Sequence, residues 1–340
     1  MATRALMQEI GYMSRNLEQS GLQSIEICAG AGGQALGLEQ AGFRHAALVE
    51  IDPHACATLR ANRPHWNIIE GDVKAFSAKP YYAIDLLAGG VPCPPFSVAG
   101  KQLGKDDERD LFPDAIRLVG ECCPKAIMLE NVRGLFFKKF DSYRAAIVQE
   151  LHKMGYACFW NLVEANQYGV PQRRTRTVLV ALKNEYANFY TWPLGSVSPP
   201  PDVGQLLFTE MQKHGWEGAA AWAKKAAGIA PTIVGGSKKH GGPDLGPTRA
   251  RQAWEKLGVD GRGIADDAPM PGFVGAPRLT VKMVGLLQGF PAEWEFAGKK
   301  TAAYKQVGNA FPPPVARAIA VSIQEALYKG AAHAVEKRAV

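Results

Sequence analysis

At 340 residues, with 47% hydrophobic and 21% charged residues, the chain is long enough for roughly two domains with cores of their own, which excludes a stapled mini-protein and a low-complexity polymer. No apolar run approaches the ~20 residues of a membrane span, and the opening MATRALMQEIGYMSRN has neither the apolar stretch nor the cleavage site of a secretory signal, so a cytoplasmic protein is expected. Lys and Arg number 39 against 32 Asp and Glu, a net charge of +7 that permits a polyanionic partner without demanding one.

Short β-rich runs alternate with helical patterns over the first 180 or so residues, the signature of a parallel sheet covered by helices. Strands are predicted at 24–28, 47–51, 67–69, 84–88, 126–129, 158–163 and 177–182, in a β-α-β-α order throughout. Pro53 opens the helix HACATLRAN, Pro113 opens DAIRLVGECC with Phe112, Ile116 and Val119 on one face, and 143–154 has similar amphipathic spacing. From 183 to 278 the alternation fails, with four tryptophans (Trp192, Trp216, Trp222, Trp254) and the Gly-flanked basic run GGSKKHGG at 235–242. A final helix is predicted from Pro314 to Lys329, with Val315, Ile319, Ile323 and Leu327 on one face and Gly330 as its stop. The irregular segment therefore reads as inserted into one α/β domain of residues 1–182 and 279–340.

In an open parallel sheet ligands bind beyond the carboxyl ends of the strands, and those positions are rich here. The first strand runs into Cys28-Ala29-Gly30-Ala31-Gly32-Gly33, a glycine turn opening a helix. The second ends at Glu50, placed to accept the ribose hydroxyls of a nucleoside. The third ends in Gly71-Asp72, the fourth in a loop around Cys93, and the fifth in Glu130-Asn131-Val132. Taken singly, the glycines are a tight turn, Asp72 a helix cap and Glu130 a surface carboxylate; their joint placement on one edge argues for a site. Gly33 directly follows Gly32, which departs from the nicotinamide fingerprint and favours another nucleoside cofactor.

Of the six cysteines, Cys28, Cys56, Cys122, Cys123 and Cys158 lie in apolar or helical contexts and read as small buried hydrophobes. None has metal or disulfide spacing. Cys93 differs: in GGVPCPPFS three prolines exclude helix and present the thiol on a stiff loop. A thiolate, a carboxylic acid and a nucleoside cofactor suit attack on an electron-poor ring followed by group transfer. With cytosine as substrate, Cys93 would add to carbon 6 while Glu130, kept protonated by partial burial, donates to ring nitrogen 3.

These residues carry a resemblance. The strings ICAGAGGQALGLEQAGF, LVEIDPHA, EGDV, DLLAGGVPCPPFS, LENVRG, QYGVPQRRTR, RLTVKMVGLLQGFP and YKQVGNAFPPPVA stand in the order found in DNA (cytosine-5)-methyltransferases, and the chain resembles that family everywhere except the irregular segment. The resemblance implies a Rossmann-like, S-adenosylmethionine-dependent fold with a mostly parallel sheet and a small target-recognition domain at 183–278. It implies S-adenosyl-L-methionine held by Cys28, Ala29, Gly30, Gly32, Gly33, Glu50, Ile51, Asp72, Val73, Gly90, Pro92 and Asn309, with Arg174 and Arg176 lining the cytosine pocket. Cys28 stands where many relatives carry Phe, Ile51 where an aromatic side chain often stacks on adenine, and Pro94 where Gln often follows the nucleophile. As a bare string, RRTR is also what a solvated basic strand edge looks like.

The implied partner is duplex DNA with its target base swung out of the helix, because a stacked base is shielded on both faces from any attacking group. Residues 97–110 (SVAGKQLGKDDERD) have the composition of a closing lid or of an ordinary surface loop; the resemblance makes Ser97, Lys101 and Arg109 DNA contacts. In the inserted segment Thr232, Lys238, Lys239, Arg249 and Arg251 are the candidates for base reading and phosphate contact, while its tryptophans read as core. A monomer is expected, with a restriction endonuclease acting on the same site as a candidate partner that the sequence itself does not reveal. A tRNA cytosine methyltransferase of the same fold and a catalytically silent DNA-binding regulator are the competing readings.

Overall fold

The computed structural model describes residues 21–92, 110–235 and 243–338. Its strands are β1 (Gln23–Ile27), β2 (Arg44–Glu50), β3 (Ile68–Glu70), β4 (Leu86–Gly90), β5 (Ala126–Val132), β6 (Tyr156–Glu164) and β7 (Thr175–Lys183), in the spatial order β3-β2-β1-β4-β5-β7-β6. Each predicted strand overlaps one of these. β1 pairs in parallel with β2 and β4, β2 with β3, and β4 with β5. The chain steps outward from β1 and then returns to its other side, so the order reverses between β1 and β4, where an open α/β sheet leaves a crevice for a ligand.

The expectation of strict β-α alternation fails at two places. β7 runs antiparallel between β5 and β6, and residues 165–174 hold a 3-10 turn at Ala165–Tyr168 in place of a crossover helix. A parallel return needs a dozen or more residues of crossover; this connection is too short, so the strand comes back reversed. Likewise a 3-10 turn at Lys79–Tyr81 joins β3 to β4.

Helices α1 (Gly33–Gln40), α2 (Pro53–Asn62), α3 (Phe112–Cys122) and α4 (Asp141–Lys153) belong to the sheet. α2 starts as its sequence dictates: the Asp52 side chain accepts the His54 N–H at 3.0 Å and Pro53 occupies the first turn. α5 (Asn184–Ala187), α6 (Val203–Gln212), α7 (Ala219–Lys225) and α8 (Thr248–Lys256) follow, then α9 (Val281–Leu287), α10 (Lys300–Asn309) and α11 (Pro313–Arg338).

Strand alternation divides the sheet's side chains between two cores. Ile25, Ile27, Leu87, Ile127 and Leu129 pack with Phe112 and Leu118 of α3 and with Ile147 and Leu151 of α4. Leu86, Ala88, Met128, Val178 and Val180 pack on the other face with Leu38 of α1 and Val315, Ile319 and Ile323 of α11. α11 does not stop at Gly330. An added Cβ there would lie 2.4 Å from Tyr186 Cδ1, so this glycine admits α5 against the helix side and terminates nothing.

Side chains from 203–233, 245–268, 279–287 and 304–307 share a third core, in which Trp216, Trp222 and Trp254 are buried beside Leu207, Met211, Met283, Tyr304 and Val307. The Trp222 ring N–H donates to the Gly258 carbonyl at 3.0 Å and that of Trp216 to the Phe273 carbonyl at 2.9 Å. These rings build the segment's interior. Among the described residues no helix is long and apolar enough to cross a membrane.

Candidate active site at the carboxyl ends of the central strands

A cavity of about 650 Å³ opens at the reversal between β1 and β4, within the ~300–1,000 Å³ usual for a small-molecule site. Cys28, Ala29, Gly30, Gly33, Glu50, Ile51, Asp72, Val73, Gly90, Pro92, Glu130 and Asn309 all line it. Gly32 does not. It caps α1 in a left-handed conformation (φ +83°), and an added Cβ would meet Leu59 at 2.6 Å, so it forms the floor beneath the turn. Gly30 is also left-handed (φ +55°), but a Cβ there would meet nothing within 4 Å: its face is open to the cavity.

Glu50 is positioned by backbone amides. Its Oε2 accepts the Gly30 N–H at 2.6 Å, and Oε1 accepts those of Ile51 and Asp52 at 2.9 and 2.8 Å. One carboxylate thus ties the glycine turn after β1 to the turn after β2. Ile51 leaves 64% of its surface exposed at the cavity wall, an apolar side chain mostly uncovered by protein. Asp72 lines the cavity while one of its oxygens accepts the Lys74 N–H at 2.9 Å, so it caps the turn at 73–75 and not a helix. The Cys28 thiol is pushed far up by burial and by the nearby Glu50, Asp72 and Glu26 carboxylates, which keeps it protonated and unreactive.

Glu130, two residues before the end of β5, stands opposite Gly90 in the parallel register, and Pro92 stands two residues beyond Gly90. The Asn131 side chain donates to the Val91 carbonyl at 2.9 Å and fixes the start of that loop. Cys93 follows Pro92 directly and, with Ser97, Lys101 and Arg109, lies outside the described residues. Glu130 is buried and paired with Arg176, Nε to Oε1 at 2.8 Å. Burial raises its carboxyl above the ordinary range, and Arg176 and then Arg174 oppose that rise.

The family model for C-5 cytosine-specific DNA methylase matches residues 22–325. The chain belongs to the C-5 cytosine-specific DNA methylase family. It is 57% identical over 309 residues to the Type II methyltransferase M.NgoMIV of Neisseria gonorrhoeae, covering 90% of this chain and 98% of that protein. It is 54% identical over 312 residues to M.NaeI of Lentzea aerocolonigenes, covering 90% and 75%. A crystal structure of a DNA modification methyltransferase encoded within an E. coli prophage shares the fold, with a TM-score of 0.63 at 22% identity over 90% of this chain and 99% of that one. The enzyme is thus a DNA (cytosine-5)-methyltransferase.

In this methylase the two arginines expected together at the base pocket part company. Arg176 stands on Glu130. Neither lines the cavity; Arg174 is 0% exposed and spends its guanidinium on main-chain carbonyls: Nη1 to Ile233 at 2.6 Å, Nη2 to Gly308 at 2.8 Å and to Ala310 at 2.9 Å. Thr232 donates its hydroxyl to the Arg173 carbonyl. Arg251 is turned back on its own helix start, Nε to the Gly246 carbonyl at 2.9 Å, whereas Arg249 is exposed. Lys238 and Lys239 lie outside the described residues.

Two wall residues escape the sequence reading. Glu26 of β1 and Gln34 of α1 are nearly fully buried and line the cavity, and none of their side-chain oxygen or nitrogen atoms has a hydrogen-bond partner. Glu26 alternates with Ile25 and Ile27 in Gln23–Ile27, a pattern that reads as an ordinary strand with a solvated polar face. Gln34 directly follows the glycine turn, a position that could have drawn notice.

Proposed function

We propose that the enzyme methylates carbon 5 of a cytosine flipped out of a specific duplex DNA sequence, using S-adenosyl-L-methionine and a covalent adduct on Cys93. The observation that carries this is the buried Glu130–Arg176 pair, whose carboxylate lines the cavity and whose strand is in register with the one that leads to Cys93. The cavity suits this cofactor chemically: Glu50 and Asp72 offer acceptors to a ribose and an adenine, Ile51 offers an uncovered apolar face, and Glu26 and Gln34 hold unpartnered acceptors toward a cationic group. When bound, the cofactor supplies the electrophilic methyl group that carbon 5 takes.

The remaining steps belong to the chain's own groups. The Cys93 thiolate forms a bond to carbon 6, and Glu130 gives its proton to ring nitrogen 3, so the ring's electron pair arrives at carbon 5. Arg176, a permanent cation, orients Glu130 and steadies the charge that builds on the ring. Solvent takes the carbon 5 proton, the electron pair left behind expels Cys93 as a thiolate, and ring nitrogen 3 returns its proton to Glu130. Residues 183–278 act as the target-recognition domain, with Arg249, Lys238 and Lys239 gripping phosphate, Thr232 and Arg251 supporting the segment, and Ser97, Lys101 and Arg109 closing on the DNA. The enzyme works in the cytoplasm as a monomer, alongside a restriction endonuclease of the same site.

Labelled methyl groups should pass to duplex DNA and not to tRNA; label on tRNA alone would reject the substrate. A duplex carrying 5-fluorocytosine in its target should leave a stable adduct on the peptide containing Cys93, and Cys93→Ser should abolish transfer while retaining DNA binding. An active preparation with that peptide unmodified would reject the covalent route.

A further inference from the structure

Arg174 is a fully buried cation, and its partners are carbonyls from two separate segments. Gly308 and Ala310 flank Asn309 at the carboxyl end of α10, where helix carbonyls lack intrahelical partners and the helix dipole is negative. Gripping both neighbours fixes how Asn309 is presented to the cavity. The third carbonyl, Ile233, belongs to the inserted segment, and the Ile233 N–H donates to Gln172 Oε1 at 2.9 Å. The Gln288 side-chain amide closes the joint by donating to Val307 at 3.0 Å and to Ala310 at 2.8 Å.

A second observation meets the first at the same point. An added Cβ on Gly235 would lie 2.2 Å from Asn309 Oδ1, and one on Gly308 would lie 2.5 Å from the Gly235 Cα. The inserted segment therefore touches the side chain that lines the cofactor cavity, with no room between them. Gly235 does not itself line the cavity.

We propose that Arg174 is a positioning residue: with the Gly235–Asn309 contact it locks the 233–235 segment of the target region to the Asn309 lip of the cofactor cavity, so that the two binding events are coupled through this joint. The inference rests on reading the cavity as the S-adenosylmethionine site. Arginine is required because one planar fork reaches three carbonyls; lysine keeps the charge but presents a single ammonium. Displacement of the target segment moves Asn309, and a filled cofactor site holds the segment still. The coupling is reciprocal by linkage.

The test is calorimetric titration of S-adenosyl-L-homocysteine into the wild-type enzyme, Arg174→Lys and Gly235→Ala, each with and without saturating duplex DNA. Both variants should weaken binding by about tenfold, and the factor by which DNA tightens it should fall toward one. Gly235→Ala leaves the buried cation intact, so it carries the test if Arg174→Lys fails to fold. Unchanged affinity in Gly235→Ala overturns the proposal, as does equal weakening with and without DNA, the mark of general loosening. Unchanged affinity in a folded Arg174→Lys with collapsed turnover would return this arginine to the base pocket. A wild-type enzyme that binds no S-adenosylhomocysteine would overturn the reading of the cavity itself, a result distinct from all of these.

Discussion

The Nε of Arg176 lies 2.8 Å from Oε1 of Glu130, and both side chains are almost wholly buried. Desolvation favours the protonated carboxyl and the guanidinium favours the carboxylate, with desolvation the larger. The carboxyl therefore holds its proton to a higher pH than an ordinary one while a cation orients it, an arrangement suited to proton donation.

Glu130→Gln keeps the shape and removes the transferable proton. Methyl transfer under single-turnover conditions should fall by roughly 10²- to 10⁴-fold, the range for loss of a general acid, with S-adenosylhomocysteine binding within a few-fold of wild type. Turnover near the wild-type rate would remove Glu130 from the chemistry.

The pH profile follows from the same pair. The acid must be protonated, so kcat/KM should decline as pH rises through the raised Glu130 value. Arg176→Met removes the charge that pulls that value down, so the alkaline limb should move to higher pH while the plateau drops by about 10²-fold or more. A limb that shifts downward, or does not move, would show that another group titrates.

Glu26 gives a stability prediction. Burial first, and Glu50 next, push its carboxyl well above the ordinary value of 4.5. Between the unfolded and folded values the native protein holds the extra proton, so this stabilisation is complete below the unfolded value and is lost as pH rises through the folded one. Glu26→Gln stays neutral throughout, and the fall in Tm as pH rises above the ordinary carboxylate range should be smaller than in wild type. An identical slope would mean that the carboxylate has a partner when charged.

Gly37 tests packing against helix propensity. Alanine is the better helix former by ~1 kcal/mol, but a Cβ at this position would lie 2.5 Å from both the Pro313 carbonyl oxygen and the Ala316 Cβ. Overpacking dominates, and Gly37→Ala should destabilise the protein by about 1–3 kcal/mol in urea unfolding. A more stable variant would show that α1 and α11 can move apart.

The strands are legible where local pattern and global fold agree. Runs such as Ala126–Val132 are β-rich and end in polar residues at the ligand edge, so both the strands and Glu50, Asp72 and Glu130 can be read from the chain alone. The reversal of β7 is not legible, because Thr175–Lys183 has the same composition in either direction and only the shortness of 165–174 decides it. Gly330 misleads for a related reason: a glycine after a helical pattern signals a stop, and only Tyr186, far away in sequence, shows its packing role. Arg174 and Arg176 are two residues apart and look equivalent in QRRTR. Three distant carbonyls separate them, and no local pattern contains those.

The contact between α1 and α11 also bears on the order of synthesis. The glycine turn at the head of α1 is among the first described parts of the chain to leave the ribosome, yet Phe311 and Pro313, which close against Gly33 and Gly37, emerge near its end. At ~5–20 residues per second the nascent protein waits roughly a quarter to a full minute for this partner. A polypeptide interrupted before Pro313 is left without the buttress of its cofactor turn, so premature termination should give a protein that modifies nothing.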